Sequence, residues 1–173
     1  MIAPITLSQQ QQVTDRVANL LVQCEALFDV SLKPIDSRFD LRGRTSGMYV
    51  IKHRQRYLRF NPFIFAKYFE DSLATTVPHE VAHYVSDVIF GFKNILPHGN
   101  EWKAIMQSLG VEPQVTGNYD LSGIVVRQQR RFSYNCGCME HELTSVRHNR
   151  IVYKNAHYLC RKCGLGLTRS AGV

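Results

Sequence analysis

The sequence predicts an α+β fold, in which a helical body surrounds a small antiparallel sheet and a basic segment with paired cysteines follows. Three observations support this prediction: helical spacing of apolar residues in 7–29 and 72–109, β-prone runs in 37–61, and two cysteine pairs after residue 127. The chain has 173 residues and 45% apolar side chains, enough for one packed domain with a small appendage. We therefore expect two domains, residues 1–126 and residues 127–173.

The first expected element is an amphipathic helix over residues 7 to 29, with Ser8 as its N-cap. Its apolar face consists of Val13, Val17, Leu20, Leu21, Cys24 and Leu27. Cys24 lies within that face, where a small apolar thiol packs well, so we interpret it as structural.

The next segment, residues 37 to 61, contains two β-prone runs, Met48 to Ile51 and Tyr57 to Phe60. These runs predict two or three antiparallel strands. Basic side chains dominate the segment and oppose only Asp40: Arg38, Arg42, Arg44, Lys52, Arg54, Arg56 and Arg59. We expect a basic surface here, although charged sheet edges that resist aggregation have the same pattern.

Three helices are expected after the strands. A short one covers residues 62–70 and opens at Pro62, and a longer one covers residues 72–90 and ends at Gly91. Pro78 must either lie in the first turn of the longer helix or bend it. The third covers residues 99–109 and is closed by Gly110.

The longer helix carries the stretch "VPHEVAHYV" (77–85), which contains the pattern H-E-x-x-H. Residues four apart lie on one face of a helix, so His79 and His83 can present their imidazoles to one metal ion. Glu80 is displaced around the helix but can reach a water on that metal, as a general base must. The pattern therefore predicts a hydrolytic zinc site, and the alternative is a buried polar cluster satisfied by hydrogen bonds.

A catalytic zinc has three protein ligands and an open position, so a third ligand is needed. The metzincin continuation of the pattern is absent, and the nearby candidates are Asp87, His98 and Glu101. Asp87 lies one turn after His83 and suits a hydrogen-bonding partner of a ligand histidine. His98 is the best candidate, because Gly99 beside it permits close backbone approach, although a loop or capping histidine is the alternative.

The paired cysteines are Cys136 with Cys138 and Cys160 with Cys163. In a reducing compartment such pairs are more often zinc ligands than disulfides, and their separation suits two short hairpins that close a zinc ribbon. The first pair is C-x-C, one residue tighter than usual, so His141 can replace Cys138 as a ligand. We expect this second zinc to be structural, with no open position.

The net charge of +7 belongs to the cysteine-bearing segment. Residues 127–173 hold nine Lys and Arg against two Glu, whereas residues 1–126 hold 12 basic and 12 acidic side chains. This asymmetry favours a polyanion as partner, although a solvated basic surface has the same composition. The predicted nucleic-acid contacts are Arg130, Arg131, Arg147, Arg150, Lys154, Arg161 and Lys162, and the nearby Tyr134, Tyr153 and Tyr158 either stack on bases or form the ribbon core.

The N-terminal residues lack the basic and apolar regions of a signal peptide, and no run approaches the about 20 apolar residues of a membrane span. We expect a cytoplasmic monomer without membrane association, and the basic charge is compatible with the nucleoid.

Together these segments resemble the SprT family of zinc metalloprotease-like proteins, which is related to the eukaryotic protease Spartan and its yeast counterpart. The resemblance is carried by DLRGRTSGMY (40–49), LRFNP (58–62), VPHEVAHYV (77–85), PHGNEWKAIM (97–106), YNCGC (134–138), RHNRI (147–151) and YLCRKCG (158–164). It implies a zincin-like metalloprotease domain with a small antiparallel sheet, followed by a zinc ribbon. It also implies that His79, His83 and His98 bind the catalytic zinc and that Glu80 is the base.

The resemblance further implies DNA-dependent cleavage of proteins bound or crosslinked to DNA, with single-stranded or unpaired regions as the nucleic-acid partner. Two other functions are compatible with the residues. One is a nucleic-acid-binding regulator whose histidine site is structural or inactive. The other is a peptidase indifferent to nucleic acid, in which the ribbon docks proteins.

Overall fold

A computed structural model describes residues 2–117, 119–124 and 130–170 of the chain. The fold is α+β and divides into two compact units, residues 1–126 and residues 127–173. The expected domain boundary between residues 126 and 127 lies outside the described residues.

The first unit packs five α-helices and a three-stranded sheet around one apolar core. Its elements are α1 (Leu7–Phe28), β1 (Asp36–Arg38), β2 (Gly47–Lys52), β3 (Gln55–Phe60), α2 (Pro62–Lys67), α3 (Phe69–Asp71), a π-helical stretch (Ser72–Thr76), α4 (Val77–Phe90) and α5 (Asn100–Ser108). Buried core side chains come from α1, β3, α2, α4 and α5 and include Val13, Leu20, Leu58, Phe60, Phe65, Val81, Val85, Trp102 and Ile105. This core fixes α4 against the sheet and against α5.

Helix α1 confirms the expected amphipathic helix but begins differently. Thr6, not Ser8, is the N-cap: its side chain accepts from the Gln9 amide, and the Gln9 side chain accepts from the Thr6 amide. The expected face is buried from Val13 to Cys24. Leu27 is 49% exposed and does not belong to that face, because the helix ends one residue later.

The sheet has the order β1-β3-β2. Strands β2 and β3 form the expected antiparallel hairpin, with Gly47 opposite Phe60. Strand β1 pairs with β3 in parallel, with Asp36 opposite Tyr57, so the prediction of an entirely antiparallel sheet was wrong. The connection between β1 and β2 carries the chain from one side of β3 to the other, a long-range pairing that the strand sequences do not encode.

Pro78 lies in the first turn of α4, directly after the π-helical stretch Ser72–Thr76. The Val77 amide donates to the carbonyl of Ser72, five residues earlier, as in a π turn. A proline inside a regular α-helix lacks a donor and clashes with the carbonyl four residues earlier. The wider π turn relieves that clash, so the backbone stays helical from Phe69 to Phe90.

The second unit contains β4 (Arg131–Asn135), β5 (Glu140–Thr144), α6 (Ser145–Lys154) and β6 (Thr168–Arg169), and its sheet has the order β5-β4-β6. The ten-residue helix α6 lies between the cysteine pairs, where we expected only short hairpins, so that prediction was wrong. Its buried residue is His148, which stacks on Phe132 with ring centroids 3.6 Å apart and contacts Tyr134 Oη through Nδ1 at 3.0 Å.

Within the residues that the structure describes, no helix has both the length and the apolar character needed to cross a bilayer.

Candidate active site and metal centres

The three histidines predicted as ligands lie together in the first unit. His79 and His83 are one turn apart on α4, and His98 comes from the turn before α5. The Nε2 atoms of each pair are 3.2 Å apart. Two imidazole nitrogens on a tetrahedral zinc, with Zn–N bonds of about 2.0–2.1 Å, are separated by about 3.3 Å. The triangle of nitrogens therefore has the size that one zinc ion requires.

The chemistry of this cluster also fits a metal. The three Nε2 atoms face one another, and a neutral imidazole has only one N–H to donate. Hydrogen bonds among the three rings therefore cannot satisfy all three Nε2 atoms, whereas a shared metal ion can. Burial, reinforced by the neighbouring rings, lowers the pKa of His79 to about 4 and the pKa of His83 to about 3. Burial also lowers the pKa of His98. Near pH 7 the rings are thus neutral, which is the form that binds metals.

Trp102 supports the cluster from α5. Its ring centroid lies 4.7 Å from that of His79, 5.6 Å from that of His83 and 4.8 Å from that of His98. Its side chain is fully buried, and Nε1 donates to the His79 carbonyl at 3.3 Å. No sequence pattern predicts this role for Trp102, and its one signal in the sequence is the position four residues after His98 in "PHGNEW".

Glu80 is buried beside the cluster, against the start of β2. A Cβ atom at Gly47 would lie 2.7 Å from Glu80 Cγ, from Glu80 Oε1 and from Thr76 Cγ2, so only glycine permits this approach. Burial raises the pKa of the Glu80 carboxyl to about 8. Gly47 lies in the segment DLRGRTSGMY (40–49), but nothing in the sequence predicts its contact with Glu80.

A cavity of about 520 Å³ is lined by His79 and Glu80, by residues 44–47, and by the loop after α5. Tyr119 connects that loop to α3 and the π-helical stretch. Its hydroxyl donates to Asp71 Oδ2 at 2.7 Å and lies 3.2 Å from Thr76 Oγ1. The volume is within the range of about 300–1,000 Å³ that is typical of ligand-binding clefts. A substrate in this cleft would therefore contact both His79 and Glu80.

Asp87 does not orient a ligand histidine, so that expectation was wrong. Its carboxylate accepts hydrogen bonds from Tyr49 Oη at 2.6 Å, from Arg56 Nε at 2.6 Å and from the Phe92 amide at 2.8 Å. Burial by itself raises the pKa of Asp87, but the hydrogen bonds from Arg56 and Tyr49 outweigh it and hold that pKa below its usual value. The side chain is directed to the sheet because a cationic partner is available there.

The four cysteines predicted as ligands lie together in the second unit. The sulfur atoms of Cys136, Cys138, Cys160 and Cys163 are within 4.8 Å of one another, with 3.8 Å between Cys138 and Cys160. Two thiolates on a tetrahedral zinc, with Zn–S bonds of about 2.3 Å, are separated by about 3.8 Å. His141 Nε2 lies 3.3 Å from Cys136 Sγ but is not a member of this mutually close group, so the geometry favours Cys138 over His141.

The fifth cysteine is apart from this site. Cys24 is fully buried in α1, and burial raises the pKa of its thiol to about 11. A neutral, inaccessible thiol agrees with the structural role expected for it.

The seven predicted nucleic-acid contacts are all exposed, and none forms an ion pair with another described residue. Arg147, Arg150 and Lys154 follow one another along α6 at spacings of three and four, which places them on one side of that helix. Tyr153 is 78% exposed, whereas Tyr134 is buried and belongs to the core of the unit. Contact of these residues with nucleic acid stays a prediction.

Comparisons with known proteins identify related chains. The family model described as SprT-like matches residues 17–119, which contain all three histidines. Protein SprT of Shewanella oneidensis is 35% identical over 160 residues, 92% of this chain and 98% of that protein. Protein SprT of Pseudomonas syringae pv. tomato is 37% identical over 155 residues, 88% of this chain and 91% of that protein. Protein SprT of Vibrio parahaemolyticus is 32% identical over 157 residues, with the same two coverages. No solved structure matches the chain significantly.

Proposed function

Because the chain belongs to the SprT-like family, we propose that it is a zinc-dependent endopeptidase with a zincin-like protease domain, which cleaves proteins associated with DNA or crosslinked to it. One observation supports this proposal most directly. The Nε2 atoms of His79, His83 and His98 form a triangle of 3.2 Å sides, and Glu80 lines the same cleft as His79. Three neutral imidazoles and a nearby carboxylate are the groups that a hydrolytic zinc site needs.

A zinc ion held by these imidazoles would polarise a peptide carbonyl and increase the acidity of a bound water. Glu80 takes the proton from the attacking water and delivers it to the leaving amine. Burial raises the pKa of Glu80 in the absence of a metal, and the positive charge of a zinc ion nearby would lower it again and favour the carboxylate form that accepts a proton. The absence of a side chain at Gly47 leaves room for the Glu80 carboxyl in the wall of the cleft. The Trp102 ring packs against the three imidazoles and fixes their positions.

The second unit supplies the reason to propose DNA as the partner. Its exposed cations lack carboxylate partners among the described residues and can release counterions from phosphates on binding. The exposed ring of Tyr153 is available to stack on an unpaired base. A peptidase tethered to DNA in this way would meet DNA-bound proteins at high local concentration.

The test compares cleavage of a DNA-bound protein by the zinc-loaded wild type and by Glu80→Gln, each with and without single-stranded DNA. We expect the substitution to reduce the rate by about 100-fold or more, because general-base catalysis contributes about 10²–10⁴-fold. Glu70→Gln, at an exposed glutamate of α3, is the matched control and should retain activity. Equal rates for wild type and Glu80→Gln would reject Glu80 as the base.

The same assay separates the other functions. A rate that DNA does not change would indicate a peptidase indifferent to nucleic acid. Binding of DNA without turnover of any protein, by a fully metal-loaded chain, would indicate a regulator.

A further inference from the structure

The first unit has a second cavity, of about 440 Å³, none of whose lining residues belongs to the histidine cluster. It lies among the segment after α1, the β2–β3 hairpin and the C-terminal half of α4. Three cationic side chains, Lys33, Arg54 and Arg56, line it, and Asp87 is its one acidic lining residue. The cavity therefore carries a surplus of positive charge.

Arg56 is held in place before any ligand arrives. Its Nε donates to the buried Asp87 carboxylate at 2.6 Å, while the arginine side chain remains 45% exposed. The two terminal amino groups of Arg56 have no hydrogen-bond partner among the described residues. Asp87 also accepts from Tyr49 and Phe92, so its charge is already dispersed over three donors. An anchored guanidinium with free amino groups is suited to phosphate, which it can bind through two parallel hydrogen bonds.

Lys33 and Arg54 add charge that no protein group neutralises. Both are exposed, and neither has a carboxylate within 4.0 Å in the described part of the chain. The backbone beside Lys33 is fixed, because Tyr84 Oη donates to the Lys33 carbonyl at 2.9 Å. The core of the unit thereby positions the backbone from which Lys33 reaches the cavity.

The turn that presents Arg54 is unusual. His53 and Arg54 form the two-residue turn between β2 and β3 with φ of 48° and 65°, in the left-handed region. Asn and Gly are favoured in such turns, and other residues cost about 1 kcal/mol or more there. Unfavourable backbone conformations of this kind are concentrated at functional sites, where they direct a side chain towards a ligand.

We propose that this cavity binds a backbone phosphate of a nucleic-acid strand. The inference rests on the proposed association with DNA and adds a contact on the protease unit itself. Three cations and a single carboxylate that is already paired favour an anionic ligand, and the guanidinium of Arg56 can offer parallel hydrogen bonds to the oxygens of a phosphate. The cavity is also larger than a phosphate ion, which leaves room for the sugars on either side of a phosphodiester.

The test uses the metal-loaded full chain and fluorescence anisotropy of a labelled oligothymidylate at several salt concentrations. The variant is Lys33→Gln with Arg54→Gln; Arg56 is kept because its removal would leave Asp87 buried without its cation. We expect about tenfold weaker binding and a salt dependence shallower by about one unit of slope, as expected for the loss of one or two phosphate contacts. Lys93→Gln with Lys103→Gln, which removes two exposed lysines outside the cavity, is the charge-matched control and should bind like wild type.

Each other outcome overturns the proposal in a distinguishable way. If wild type binds and the double variant binds equally well, with the same salt slope, the cavity is not a contact although the association with DNA stands. If wild type does not bind the oligonucleotide, both proposals fail. If inorganic phosphate binds wild type but not the double variant, while both bind the oligonucleotide equally well, the cavity binds free phosphate instead of a strand. Equal thermal unfolding midpoints for all variants exclude a folding defect.

Discussion

Gly47 shows how closely the chain surrounds its candidate base. A methyl group at this position would lie 2.7 Å from two atoms of the Glu80 side chain. We predict that Gly47→Ala displaces the carboxyl and lowers peptidase activity by about 10–100-fold, since a shift of about 1 Å in a catalytic group has effects of that size. Steady-state cleavage of a protein substrate measures the change, and zinc content measured in parallel should stay at the wild-type level.

The control for this prediction is Gly166→Ala, because a Cβ at Gly166 meets no atom within 4 Å. Gly47→Ala with full activity would show that the Glu80 position is not critical.

The buried Glu80 carboxyl also has a cost in stability. In metal-free protein its pKa is about 8, against 4.5 for an unperturbed glutamate, so the folded state keeps a proton that the unfolded state releases. Stability therefore decreases as the pH rises from 4.5 to 8. We predict that Glu80→Gln, which does not titrate, is more stable than wild type in chelator, by at most about 3 kcal/mol at pH 7. Urea unfolding at pH 5 and pH 7 checks this, and a stability difference that does not grow with pH would contradict it.

Single residues differ in how far the sequence predicts them. His79 and His83 are predictable because helical periodicity alone places them on one face. His98 requires the chain to return over a turn, which residue type and spacing could suggest but not determine. Trp102 and Gly47 act through contacts between distant segments, and no local pattern distinguishes them from an ordinary core tryptophan or turn glycine.

At the scale of elements, Asp87 connects α4 to the hairpin of β2 and β3. Its carboxylate is 4% exposed and binds Tyr49 on β2 and Arg56 on β3. We predict that Asp87→Ala lowers the free energy of unfolding by about 2 kcal/mol, because Tyr49 and Arg56 lose a charged partner while Arg56 can be hydrated again. Equilibrium urea unfolding measures it.

Asp36→Ala is the matched control for that variant. Asp36 also pairs with an arginine, Arg38, but its side chain is 61% exposed. Exposed pairs contribute little, so we expect no measurable change. An equal loss of stability in both variants would show that burial does not determine the strength of these pairs.

The sequence predicts those elements whose apolar spacing and terminal residues lie within the element itself. Helices α1, α4 and α5 have apolar faces and terminal signals within their own residues, and the structure has them. The parallel pairing of β1 depends on a connection that passes β3, and α6 occupies a span that the cysteine spacing suggested would hold hairpins. In both cases the expectation relied on a local pattern, whereas packing against a neighbouring element decided the structure.

At the scale of the whole molecule, the two units have different sources of stability. The first has an extended core from five of its elements, whereas the second buries few side chains: Tyr134, Cys136, Leu143, His148 and Cys160. A unit with so small a core generally needs a structural metal. We predict that a strong chelator unfolds residues 130–170 while the first unit stays folded.

Hydrogen exchange followed by mass spectrometry tests this prediction along the chain. Amides of β4, β5 and α6 should lose protection in chelator, and amides of α1 and α4 should keep it. Restoring zinc should restore the protection. Unchanged protection in the second unit would show that the four cysteines do not hold a structural metal.

Trp102 gives the proposed metal site an intrinsic optical signal. It is the only tryptophan in the chain, and its indole contacts the three imidazoles directly. Any change in their protonation or occupancy changes the electric field at the ring that emits. Metal loading of the histidine cluster can therefore be followed by fluorescence in the unlabelled protein, independently of the cysteine site.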